Sequence, residues 1–293
     1  MLEVPAPLVP GDLVAVVAPS SPFPRDELWR GLAWLRTRYR LRLGPGLFAR
    51  DGYLAGSDAR RARELACALL DPEVKAVVAA RGGYGAVRLV EGAPWGELAR
   101  NPKWLVGFSD VTALHVMAWR SGVASIHGPN VTGLGREVTP TTRARWIAAL
   151  ERPRAAHTWQ ELRVLHGGSA RGPIVGGNLA LVHAMAAAGQ LLVPPGAVLA
   201  LEDVTEAPYR VDRMLTSLRL GGHLTQASAI LFGGFDQCTP GRDGRTVDDV
   251  LADTTRGLRV PVLAGAPFGH GVVNEAFVLG SPVRIDGDAA HFY

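Results

Sequence analysis

Short apolar runs alternate with amphipathic stretches through the first half of the chain. The run DLVAVVAP at 12–19 is rich in β-branched residues and ends in Pro19, Ser20 and Ser21, so it predicts a buried strand running into a loop. Residues 25–39 place Leu28, Leu32 and Leu35 at helical spacing, and a second helix is expected over 58–70, stopped before Pro72. VKAVVAA at 74–80 reads as another strand, followed by the glycine-rich RGGYG at 81–85. KWLVGFS at 103–109 is a third strand, and a helix after it is closed by Gly122. Strand and helix in alternation predict a parallel sheet covered on both faces.

Around 151–168 the pattern dissolves into Pro, Arg, His and Gly, which reads as a connection. A strand, a Gly-Gly-Asn turn and an Ala-rich helix then begin at Arg171. Strands at AVLALEDV, SAILFGGF and RVPVLAG follow, with helices at APYRVDRMLTSLRL and about 247–256. The tail from 277 to 285 is expected to form a hairpin around Gly280 and Ser281. The predicted organisation is α/β in two domains, an N-terminal one over 1–155 with a mostly parallel sheet flanked by helices and a smaller C-terminal α/β one over 169–293, joined by a linker at 156–168. Trp29, Trp34 and Trp119 lie on helical segments and are expected in the core.

Composition narrows the classes. With 293 residues, 47% hydrophobic and 20% charged, the chain is long enough to bury a core without staples and too apolar for disorder. Cys67 and Cys238 are the only cysteines and form no CxxC, which argues against a disulfide scaffold and fits a cytoplasmic protein. The net charge of +4 comes from scattered Arg, as Lys75 and Lys103 are the only lysines; no basic run or aromatic interleaving suggests nucleic acid. The N-terminal apolar stretch lacks a basic flank and is broken by Pro10 and Asp12, so neither a signal peptide nor a membrane span is expected. No HExxH or His-x-His spacing points to a metal, and no cofactor is called for.

Ligands of open α/β sheets gather at the carboxyl ends of strands. Five such ends carry polar residues here: Ser20-Ser21, Arg81 to Tyr84, Ser109-Asp110, Glu202-Asp203 and Gly269-His270-Gly271. Ser109, in GFSD, sits where a strand gives way to a helix, a geometry that exposes a hydroxyl; on these four residues alone the commoner role of a serine there, a helix cap, is favoured. A nucleophilic serine needs a base, and among eight histidines His127, His223 and His270 lie at strand ends or in loops, with His270 favoured by its flanking glycines. Glu202 closes an apolar strand and needs a partner, either a histidine ring or an arginine such as Arg210 or Arg213. The glycines of RGGYG suit close backbone approach to a ligand or simply a tight turn; the sequence lacks the Lys-Ser/Thr of a phosphate loop. On the residues alone, a noncatalytic ligand-binding module and a nucleotide-dependent enzyme using Ser20, Ser21 or RGGYG stay open.

The ordered set GDLVAVVAPSSP, ARGGYGAVRLV, LVGFSDVTALH, HGPN, GGNL, LEDVTEAPYRVDRMLTSLR and FGHG, from about Gly11 to Gly271, resembles the LD-carboxypeptidase family, the S66 serine peptidases. That resemblance implies a two-domain α/β protein with its active site between the domains, a cytoplasmic homodimer without a cofactor, and Ser109, Glu202 and His270 as a catalytic triad. It places the oxyanion hole on the backbone of Asp110 and Gly83. The implied reaction releases the C-terminal D-alanine from murein tetrapeptides in peptidoglycan recycling, the substrate being a small peptide or muropeptide. A sister branch resembling microcin-immunity peptidases acts on aminoacyl-nucleotide antibiotics. Its members tend to be longer, so this compact chain sits better with the muropeptide branch. The family often has Met after HGP; Asn130 stands there in this chain, and a pocket-lining role would alter substrate preference.

Overall fold

The computed structural model describes residues 2–293. The chain divides into two compact units, one running up to Pro153 and including Glu275–Leu279, the other formed by Arg154–Asn274 and Gly280–Tyr293. The fold is α/β, with a separate sheet in each unit.

In the first unit the order is β1 (Leu13–Val17), α1 (Arg25–Arg36), β2 (Arg40–Leu43), α2 (Asp58–Leu70), β3 (Val74–Ala79), α3 (Trp95–Arg100), β4 (Trp104–Gly107), α4 (Thr112–Arg120), β5 (Ser125–His127), α5 (Val131–Leu134) and α6 (Pro140–Glu151). Strands β2, β1, β3, β4 and β5 pair in parallel in that spatial order. β1 is buried at all five positions, as its unbroken β-branched run requires of a strand covered on both faces. α1 packs Leu28, Leu32 and Leu35 into a core with Val14, Val16, Val78, Val106 and Trp104. Each such aliphatic side chain contributes about 1.5–3 kcal/mol when fully buried. Trp34 packs against this core and Trp119 is buried, but Trp29 is 45% exposed. One residue beyond Leu28, it points about 100° round the helix from the apolar stripe and lies on Phe48 instead. α6 starts at a Thr139 cap, whose side chain accepts from Thr142 N–H, with Pro140 in its first turn.

The second unit contains β6 (His157–Trp159), β7 (Arg163–His166), β8 (Ser169–Asn178), α7 (Leu179–Ala187), β9 (Val198–Val204), α8 (Pro208–Leu220), β10 (Ala229–Asp236), α9 (Val247–Thr255) and β11 (Val262–Ala264). Chain order then gives β12 (Phe277–Leu279), β13 (Pro282–Asp286) and β14 (Ala289–Phe292). The sheet order is β6-β14-β13-β8-β9-β10-β11-β7, with β8 to β11 parallel and antiparallel strands on both flanks. A Cβ at Gly176 would fall 1.9 Å from the Ala200 carbonyl oxygen, so that glycine permits the close pairing of β8 with β9.

Two expectations are corrected. The stretch 156–168, read as a linker, carries the strands β6 and β7; short segments with polar edges such as Arg163 and His166 give little local signal, and their pairing with β14 and β11 is long-range. The tail around Gly280 and Ser281 is not a hairpin. β12 pairs antiparallel with β5 in the first sheet, whereas β13 joins β8 and β14 in the second. The real hairpin joins β13 to β14 through Gly287 and Asp288, with Gly287 at φ 61°. No helix among the described residues is long and apolar enough to cross a membrane.

Candidate active site

In the first unit, β4 ends at Gly107, Phe108 is extended, and Ser109 opens a single 3-10 turn that leads into α4. Ser109 has φ 64°, in the left-handed region that a non-glycine residue enters at a cost of about 1–2 kcal/mol. The residue in the cap position before the turn is Phe108, so Ser109 is not a conventional helix cap. A strained serine between strand and helix is the arrangement that lifts a hydroxyl clear of the backbone.

Three side chains brace this junction. His115, wholly buried one turn into α4, donates from Nε2 to the Gly107 carbonyl at 2.9 Å. Burial pushes its pKa down to about 4, against a smaller pull upward from that carbonyl, so it is a neutral strut. Asn130, 3% exposed, accepts from Phe108 N–H at 3.3 Å. Its side chain faces the backbone beside Ser109, which is a supporting position. Asp110 Oδ2 accepts from Ala86 N–H at 2.7 Å and ties the junction to the glycine turn.

That turn lies against the serine. A Cβ on Gly82 would stand 2.8 Å from Ser109 Cβ and 3.1 Å from its Oγ. Gly83, at φ 107°, would place one 2.5 Å from Ser21 Oγ. Ser21 holds the turn through its N–H to Gly82 O at 3.3 Å and through its Oγ, which accepts from Tyr84 N–H at 3.0 Å. Only glycine satisfies both the conformation and the proximity at position 83.

In the second unit, Glu202 sits near the end of β9 with no exposed surface. His270 Nδ1 donates to its Oε2 at 2.7 Å. The arginine alternatives are engaged elsewhere: Arg210 faces Glu206 at 3.6 Å, and Arg213 lies over the Tyr209 ring. Burial opposes a charged His270, but the hydrogen bond and charge of Glu202, aided by Asp203 and Asp236, prevail and raise its pKa. The flanking glycines permit this approach. A Cβ on Gly269 would lie 3.2 Å from Glu202 Oε2, and one on Gly271 2.8 Å from Asp236 Oδ1.

Asp203, next in the strand, accepts from Asn178 Nδ2 at 2.9 Å and Ala180 N–H at 2.9 Å, fastening the start of α7 to β9. Burial pushes its pKa up to about 6, with the Glu202 charge adding to the rise and the Val204 amide, Asn178 and the Ala180 amide resisting it.

The remaining histidines stand elsewhere. His127 is buried and stacked on Phe277, His157 is stacked on Phe292, and His291 meets Thr158. Among the described residues, no three His, Cys, Asp or Glu side chains cluster as metal ligands. Sequence reasoning passed over Arg61, which is fully buried in α2. A signal was present: Arg61 shares the helical stripe of Leu65, Ala68 and Leu69, where a charge is out of place.

Comparison with known proteins finds two family models in succession along the chain. The family model described as the LD-carboxypeptidase N-terminal domain matches residues 14–128, and that of the LD-carboxypeptidase C-terminal domain matches 171–285. A murein tetrapeptide carboxypeptidase of Pseudomonas aeruginosa is 34% identical over 94% of this chain and 93% of its own. The crystal structure of muramoyltetrapeptide carboxypeptidase from Oxalobacter formigenes superposes with a TM-score of 0.86 at 27% identity, covering 96% of this chain and 97% of that one. The microcin C7 self-immunity protein of Escherichia coli is more distant, at 24% identity over 97% of this chain and 93% of its own. With both domain models matched in order and over most of its length, the chain belongs to the LD-carboxypeptidase family.

Proposed function

We propose that this protein is a serine carboxypeptidase that cleaves the amide between an L-centre and the terminal D-alanine of murein tetrapeptides, in peptidoglycan recycling. The observation that carries the reading is Ser109, held at φ 64° between a strand and a helix with a glycine turn against it. The hydrogen-bonded His270–Glu202 pair supplies the matching base and orienting carboxylate.

In this reading His270 Nε2 takes the Ser109 proton as Oγ bonds to the scissile carbonyl carbon. Glu202 fixes the Nδ1–H tautomer and stabilises the imidazolium that forms. The N–H groups of Asp110 and Gly83 hold the oxyanion, and the start of α4 adds positive potential there. The tetrahedral species breaks its C–N bond, His270 protonates the departing D-alanine, and the peptide remains esterified to Ser109. Water then repeats the cycle: His270 accepts its proton, the new C–O bond forms, and the ester breaks to return the proton to Ser109. The identity to the Pseudomonas murein tetrapeptide carboxypeptidase, which exceeds that to the microcin protein, supports the peptide substrate.

The test is D-alanine release from a purified murein tetrapeptide, run beside a glutamyl sulfamoyl nucleotide. Turnover of the tetrapeptide alone supports the proposal. Hydrolysis of the nucleotide conjugate with no D-alanine release would overturn it in favour of an immunity-type activity.

A further inference from the structure

The turn that lies against Ser109 is held by buried charges of opposite sign. Arg61, 1% exposed, donates from Nη1 to the Gly85 carbonyl at 2.9 Å, and Asp110, also 1% exposed, accepts from Ala86 N–H at 2.7 Å. Gly85 C=O and Ala86 N–H belong to one peptide group. Its dipole therefore runs from carboxylate to guanidinium, with the positive N–H end facing the anion and the negative oxygen facing the cation. We propose that this gripped peptide sets the position of the 82–85 turn relative to Ser109, making Arg61 and the Asp110 side chain positioning residues for the reaction.

The grip is anchored at both ends. Arg61 also donates to the Pro19 carbonyl in the loop after β1 and to the Asp58 carboxylate in its own helix. Asp110 is the covalent neighbour of Ser109 and carries one of the two proposed oxyanion donors on its own backbone. The other donor, Gly83, is separated from the gripped peptide by Tyr84 alone. A single carboxylate thus links the two donors through a short path of main chain and one hydrogen bond.

Two features show that the arrangement is exacting. Gly85 has φ 127°, and a Cβ there would stand 2.7 Å from Arg61 Nη1, so the guanidinium reaches the carbonyl only past a glycine. Burial pushes the Asp110 carboxyl pKa up, while the Ser20 hydroxyl, the Ala86 and Gly85 amides and the Arg61 charge favour the ionised form. A buried arginine without such partners would be strongly disfavoured, and a purely apolar contact would serve stability as well or better. The positioning role explains why charges are spent here.

The inference rests on Ser109 as nucleophile and Gly83 as an oxyanion donor. Its test measures kcat and KM for D-alanine release, with thermal midpoints, in wild type, Ser109→Ala, Asp110→Ala, Asp110→Asn and Arg61→Lys. Asp110→Ala removes the acceptor of Ala86 N–H and is expected to lower kcat about 100-fold with KM within about threefold. Asp110→Asn keeps an acceptor oxygen and should recover kcat to within about tenfold of wild type. Arg61→Lys exchanges the fork for one point charge and should lower kcat about tenfold at unchanged KM. Wild-type kcat in folded Asp110→Ala or Arg61→Lys would overturn the positioning role, as would loss of fold in all three variants. Failure of wild type to release D-alanine, or full activity in Ser109→Ala, would instead sink the nucleophile reading.

Discussion

Glu202 Oε2 lies 2.7 Å from His270 Nδ1, and the carboxylate is fully buried while the imidazole keeps 17% of its surface exposed. The Nδ1 end of the ring is therefore committed to the protein interior. Replacing Glu202 with Gln preserves the shape and an acceptor oxygen but removes the charge that counters the burial of His270. The His270 pKa, raised in the native protein, should then fall. In the proposed mechanism His270 is the general base and works when neutral, so the acidic limb of kcat/KM should move to lower pH, while kcat itself drops by about 10²–10⁴. A pH-rate profile checks this; an unmoved acidic limb contradicts it.

Ser109→Gly separates strain from chemistry. Glycine accepts the left-handed backbone at φ 64° without the Cβ penalty, so the variant should be more stable by about 1 kcal/mol in chemical denaturation. It should also lose D-alanine release by about 10³-fold or more. A destabilised variant would mean that the serine side chain holds the junction together.

His115 predicts a stability effect with a defined sign. Its pKa is about 4 in the folded protein and about 6.5 when unfolded, so between those values the unfolded chain binds the extra proton. The stability it contributes is fully present above pH 6.5 and is lost as the pH falls through 4, amounting to about 3 kcal/mol. Denaturation of His115→Gln across pH 4 to 7 should show a correspondingly shallower acid loss than wild type. Parallel curves would contradict a buried neutral imidazole.

Much of this arrangement was legible in the chain. The β-branched run of β1 and the apolar run of β4 announced buried strands because parallel strands covered on both faces leave no polar alternation. Ser109, Glu202 and His270 stood out locally because a serine at a strand end, a carboxylate closing an apolar strand and a histidine between glycines each violate the surrounding pattern. That Glu202 meets His270 and not Arg210 was not legible in the local pattern, since 68 residues separate the two, and only the family resemblance implied it. The same limit hid β12, whose three residues pair with β5 from 150 positions away. Arg61 was hidden for a different reason: it lies on the apolar stripe of the helix expected over 58–70, and the Pro19 and Gly85 carbonyls that hold its charge there come from distant parts of the chain.

Whether Ser109 is an activated nucleophile, as proposed, is read out by covalent labelling. After treatment with a fluorophosphonate, peptide mapping by mass spectrometry should find a single adduct on Ser109, formed more slowly when murein tetrapeptide is present and scarcely at all in His270→Ala. An adduct on another residue, or labelling of Ser109 at the same rate in His270→Ala, would contradict the account.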